Sequence, residues 1–200
     1  MTRSHRTLVA AAVLLAACLA PEVVFAHAER GAVGGFLAGL EHPISGWDHI
    51  LAMVSVGLWG AQLGAPAIWV LPVAFPVVMA FGGMLGLFGV PLPASELGIA
   101  LSAVALGLAV LTEARPPLPA AAALVAFFAI FHGYAHGVEL PPASDGLLYS
   151  VGFVVATGAL HGTGIATGLI HRWSAGRALL RAAGGCVAAA GMVFLYRALA

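Results

Sequence analysis

Apolar runs about twenty residues long, separated by proline clusters, dominate this chain and leave few folds open to it. The hydrocarbon core of a bilayer takes about 20 apolar residues of helix. Six stretches meet that length: 43-62, 67-90, 95-112, 118-139, 146-171 and 177-199. "LGAP", "VPLPAS", "EARPPLP", "ELPPASDG" and "HRWSAGR" punctuate them. Prolines there stop helices, and Ser95, Ser144 or Asp145 can cap the next ones. The chain is 62% hydrophobic and 8% charged, with mean hydropathy +1.04, whereas soluble domains carry about a quarter charged residues. The expectation is an all-α, polytopic integral membrane protein with about six transmembrane helices in one membrane domain, 27-200. Its surroundings are the lipid bilayer, with room for a homo-oligomer. There is no lysine, and the arginines balance the acids, so no basic face exists for nucleic acid.

Residues 1-26 read as a signal peptide. Arg3 and Arg6 form its positive region, Leu8 to Leu19 its apolar core, and Val24-Phe25-Ala26 its cleavage site. Two other readings fit the same stretch: a lipoprotein box at Leu15-Ala16-Ala17-Cys18, and an uncleaved first helix. Cleavage after Ala26 makes His27 the mature N-terminus. Its amine and imidazole can chelate a divalent metal as a loose capture arm, although a disordered start is the plainer account. Cys186 is then the one cysteine left, so an internal disulfide and a thiolate cluster are both excluded. Its Ala/Gly-rich segment suggests a buried small side chain. With His27 outside, the inner turns carry Arg115, Arg172 and Arg177 and the outer turns Glu96, Glu139 and Asp145. That obeys the positive-inside rule and implies a bacterial inner membrane with a periplasmic N-terminus. The apolar stretch 31-40 is too short to span. It suits an interfacial or half-inserted helix, which needs protein cover.

Two clusters carry ionisable groups into these spans. "FFAIFHGYAHGVELPP" holds His132 and His136 one helical turn apart, with Glu139 three residues on and on the same face. Charge facing lipid costs at least a few kcal/mol, so these groups should face the bundle interior. Gly133 and Gly137 clear space there for another helix. "EHPISGWDHILAM" holds the second cluster. Pro43 fits the first turn of a helix, which puts His42 at its start, Asp48 and His49 one to two turns inside, and Met53 below His49. Both clusters fall in the outer half of the membrane, so six groups can converge on one metal site. Imidazole with carboxylate suits divalent Ni, Co, Zn or Cu. A helix N-terminus opposes a cation near His42, an effect that Glu41 and Asp48 would offset.

Other residues read more plainly. His161, near mid-membrane, is either a relay or a core histidine bonding a carbonyl across helices. His171 suits the interface. Met53 is core filler unless its sulfur joins the metal path. Trp47, Trp59, Trp69 and Trp173 read as interface anchors. Gly158 with Gly162, and Gly164 with Gly168, have the spacing of close helix packing. Pro72 and Pro76 should kink the second span.

The two motifs, His-x5-Asp-His at His42, Asp48 and His49, and "FHGYAHGVE" with His132, His136 and Glu139, resemble those of the HupE/UreJ family. The resemblance runs over nearly the whole chain, including a cleavable leader followed by "HA". It implies a secondary permease for Ni2+, or Co2+ in some members, serving a hydrogenase or urease maturation system. It also implies no permanent cofactor and no enzymatic activity. The motif residues would hold the ion, with His161, His27 and Met53 as relay or capture positions. No ATP-binding loop is present to drive transport. Protons competing for the imidazoles should reduce uptake below about pH 6. The residues by themselves also admit an intramembrane zinc-dependent hydrolase or a b-type haem membrane protein.

Overall fold

The computed structural model describes residues 32–140 and 145–200; the leader 1-26, Cys18 and His27 lie outside them. The described residues are helical and include no strand. In chain order they form α1 (Ala32–Ser45), α2 (Trp47–Leu63), α3 (Ala67–Leu87), α4 (Ser95–Thr112), α5 (Leu118–Val138), α6 (Gly146–Gly168) and α7 (Ser174–Leu199). A 3-10 turn, Leu169–Arg172, extends α6. Among the described residues, α3, α4, α5, α6 with its extension, and α7 are long and apolar enough to cross a membrane. The chain is thus a multi-pass helical membrane protein.

The first span differs from the expectation. Pro43 does not open a helix; it sits in the last turn of α1. The break comes at Gly46, which is extended (φ −109°, ψ 125°), and α2 starts at Trp47. Both pieces run in the same direction along α6. Gly35 abuts Asp145, Gly39 abuts Tyr149, Gly57 abuts His161, and Gly168 abuts Leu58 and Ala61. At 1.5 Å per residue α1 is about 21 Å long and α2 about 26 Å. Together they make one discontinuous span beside the continuous α6. Of the short segment at 31-40, residues 32-40 therefore belong to α1, the first half of this broken helix, and α6 supplies its protein cover.

α2 lies at the centre. Ala52, Met53, Ser55, Val56 and every residue from Gly57 to Gln62 are buried, as befits a helix surrounded by others. It packs against α3, α4 and α6. Trp59 is consequently no interface anchor. It is 1% exposed, and its indole N–H donates to the Ala114 carbonyl at 2.9 Å. Trp69 and Trp173 are exposed and Trp47 is partly so. Cys186 is half-buried rather than enclosed.

Two further pairs complete the bundle. α3 runs parallel to α5, and α4 runs antiparallel to α7. Close approach in the first depends on Gly133 and Gly137, where a Cβ would overlap the carbonyls of Met79 and Gly83. Without a hydrophobic force between helices in lipid, such backbone contact is a main source of association. Gly164 and Gly168 act likewise against α2, but Gly158 and Gly162 face open space. Helical spacing does not say which of two faces meets a neighbour.

α3 is helical through Pro72 and Pro76. Pro76 has no N–H, so the Pro72 carbonyl loses its helical donor. Replacing Gly57 with alanine should overpack the α2–α6 contact and cost about 1–3 kcal/mol, whereas Gly162→Ala should be neutral. Thermal unfolding of the detergent-solubilised pair tests this contrast.

Candidate metal site

The break at Gly46 and the end of α5 meet. His42 is in the last turn of α1, Asp48 and His49 are in the first turn of α2, and His132 and His136 are in the last two turns of α5. Glu139 caps α5 just past its end. Packing of α1 on α6 puts the cluster level with Tyr149 and Phe153, four to eight residues or about 6–12 Å along α6.

Four imidazoles form a continuous series. Ring centroids lie 4.6 Å apart for His42 and His136, 4.6 Å for His136 and His49, and 4.7 Å for His49 and His132. At one end Glu139 Oε2 is 3.2 Å from His42 Nε2. One nitrogen each from His42 and His136 and an oxygen of Glu139 lie within 4.8 Å of one another, a compact triad able to share a cation. Side-chain exposure is 56% at Glu139, 22% at His42 and 13% at His49. Residue exposure is 6% at His136, which lies between His42 and His49 in the series, and zero at His132, its far end. The series therefore leads from an accessible carboxylate to a sealed imidazole.

Asp48 takes a different place from the other motif residues. Its Oδ1 accepts from the His49 backbone N–H at 2.8 Å and meets His49 Nδ1 at 2.8 Å. An ionised carboxylate can only accept, so Nδ1 carries the proton and Nε2 presents a lone pair. Asp48 thus orients His49, as carboxylates behind metal-ligating histidines do. Gly46 makes this fold-back possible: a Cβ there would come 2.6 Å from Asp48 Oδ1 and 3.3 Å from His49 Nδ1.

Several ring nitrogens are left over. His49 Nε2, His132 Nδ1 and both nitrogens of His136 are buried without a hydrogen-bond partner among the described residues. Each such group costs about 1–3 kcal/mol. The electrostatics suit a cation as ligand. The C-terminal ends of α1 and α5 turn negative partial charge toward the cluster, and the N-terminus of α2, at Asp48 and His49, opposes them in part. Placing His42 at a helix end rather than a helix start reverses the unfavourable dipole expected from the sequence. The His42 hydrogen bond holds the Glu139 carboxyl below its usual range, with burial opposing, so Glu139 stays ionised at neutral pH.

Glu96, in the first turn of α4, lies close enough to Asp48 and Glu139 for their charges to interact. It was not among the expected site residues, although an acid inside an apolar span is a signal in itself. A cavity of about 320 Å3 between α3, α5 and α6 reaches His136, with Met79, Gly83, Tyr149 and Phe153 in its wall.

His161 stands apart. The Phe75 ring separates it from His132, with centroid distances of 5.5 and 5.4 Å. It engages the Pro72 backbone, whose carbonyl Pro76 leaves without a helical donor. Met53 is enclosed in the apolar core. His171 is part-buried, with Nδ1 2.9 Å from the Gly168 carbonyl oxygen.

A family profile described as HupE / UreJ protein matches residues 15–194. The chain belongs to the HupE/UreJ family. It is 48% identical over 181 residues to "Protein HupE" of Rhizobium leguminosarum bv. viciae, covering 90% of this chain and 94% of that protein. No solved structure matches it significantly. The match takes in both histidine motifs and every helix that contributes to the cluster, so the broken span of this family member falls inside the shared region.

Gly46→Ala should push Asp48 off His49 and lower divalent-metal affinity about tenfold, the usual scale for disturbing an outer partner of a ligand. Calorimetric titration of the purified protein with NiCl2 measures the change.

Proposed function

We propose that this protein is a secondary permease that takes up Ni2+, with Co2+ as a second cargo, to supply a nickel enzyme such as hydrogenase or urease. The observation that carries this reading is the row of four contacting imidazoles, with unpaired nitrogens, that runs from an accessible carboxylate to a sealed ring inside a membrane bundle. Family membership and the name of the 48% identical relative support it.

The mouth of the site is the periplasmic side in this account. Glu139, Asp48 and Glu96 attract a hydrated dication there. His42, His136 and Glu139 replace its first waters as one triad. His136 touches both His42 and His49, so the ion can gain a new ligand before it gives up the last. His132, wholly buried, takes the driest position. Passage beyond it requires the Phe75 ring to move. Transport needs ligands strong enough to replace water and weak enough to release, and imidazole with carboxylate meets that better than thiolate. The ion is cargo, so no permanent cofactor is invoked.

The competing readings fit the site less well. A haem needs a porphyrin between its axial histidines, but these rings already touch one another, and His136 packs on Phe153 at 4.3 Å. A zinc hydrolase would need only the three-ligand set of His42, His136 and Glu139, and it leaves the further row of His49 and His132 without a role.

Radioactive nickel uptake into cells expressing the protein tests the proposal. His42→Ala, His132→Ala and His136→Ala should each cut uptake at least tenfold, with Trp69→Phe unchanged, since Trp69 is 68% exposed and far from the cluster in sequence. Wild-type uptake equal to that of empty cells would refute the permease.

A further inference from the structure

The wall behind His132 contains a residue that neither motif includes. Ser102, on α4, is wholly buried. Its Oγ lies 2.6 Å from the Ile99 carbonyl oxygen and 2.9 Å from His132 Nε2. A hydroxyl has one proton to give. Two oxygens 2.6 Å apart need a proton between them, and a carbonyl has none. The Ser102 proton is therefore committed to Ile99. Oγ can only accept from the imidazole, so Nε2 must be the nitrogen that carries hydrogen. The remaining nitrogen, Nδ1, is buried and has no partner among the described residues.

We propose that Ser102 is a positioning residue of the metal site, which holds His132 in the Nε2–H tautomer and leaves the Nδ1 lone pair for a divalent cation. Ser102 does not touch the ion; it acts through His132. The arrangement mirrors the one at His49, where Asp48 accepts from Nδ1–H and leaves the Nε2 lone pair free. Neighbouring rings, 4.7 Å apart, thus offer lone pairs from opposite nitrogens, each fixed by a different acceptor. Loss of the Ser102 oxygen would leave Nε2–H buried without an acceptor, and neither tautomer would then be preferred by hydrogen bonding. Nothing in the apolar spacing of α4 marks Ser102 as functional, because a serine bonding its own helix is common in membrane spans.

The assignment rests on the nickel-permease reading for the identity of the ion but not for the tautomer. The test uses the full chain in nanodiscs with 15N-labelled histidine, and His132→Gln to assign the signals. In the wild type, His132 should show a protonated Nε2 and a bare Nδ1, and NiCl2 should broaden Nδ1 first. Ser102→Ala should mix the tautomers and weaken Ni2+ binding about tenfold, with folded yield retained. Ser102→Thr, which keeps the hydroxyl, should restore both. A proton on Nδ1 in the wild type would overturn the proposal, as would a Ser102→Ala protein with unchanged tautomer and affinity. If the threonine variant fails to fold, the wild-type spectrum and the alanine variant still decide. Absence of Ni2+ binding in the wild type would count against the nickel reading instead, and the apo spectrum would still decide the role of Ser102.

Discussion

A buried imidazole without a hydrogen-bond partner is costly, and this bundle holds several side by side. Three consequences follow from that. The rings cannot face lipid, so α5 must turn the His132–His136 face inward and give its other faces to α3 and the hydrocarbon. The rings cannot be replaced cheaply by closer packing, because the helices already touch at backbone distance. And they are most comfortable with a cation between them. The cluster is thus a destabilising feature of the empty fold, and in the proposed permease a bound cation would offset that cost and still be able to leave.

The broken span makes the cluster possible. A continuous helix from residue 32 to 63 would place His42 and His49 two turns apart on one cylinder, with their backbone groups satisfied internally. The extended residue at Gly46 instead lets the end of one half and the start of the other meet beside α5. Half-helix ends at membrane depth recur in transporters because their free backbone groups face ions rather than lipid. Here the cover comes from α6, along which both halves lie. Glycine does the rest of the positioning. Gly133 and Gly137 bring α3 against the helix that carries the histidines, and Gly57 and Gly164 lock α2 to α6. Pro76 adds a local demand, an unpaired carbonyl at Pro72 that His161 meets. The His161 Nε2 atom is buried without a hydrogen-bond partner among the described residues.

Hydrophobic run length and proline punctuation made the helical membrane architecture legible, because both act within a single helix. The convergence of His42, His49, His132, His136 and Glu139 was legible too, since costly groups on the buried faces of two spans have few places to go. Other assignments went astray where a residue's meaning depends on a neighbour far along the chain. Pro43 suits a first turn by propensity, yet it ends α1, because α6 supports a helix that begins before it. Trp59 looks like an interface anchor until the Ala114 carbonyl is found beside it. Gly158 and Gly162 have the spacing of a packing motif but point away from every described helix.

The sequence by itself determined that the chain is a bundle of membrane helices and that imidazole and carboxylate groups must gather in its interior. Those outcomes follow from transfer free energies, which depend on residue type and local spacing alone. Only the tertiary structure decided where the first span breaks, which imidazole is exposed and which is sealed, and which acceptors face His49 and His132. These depend on hydrogen bonds between groups on different helices, such as Ser102 with His132. A proton's location is set by the acceptor that happens to be within 3 Å, and no local pattern in the chain records that distance.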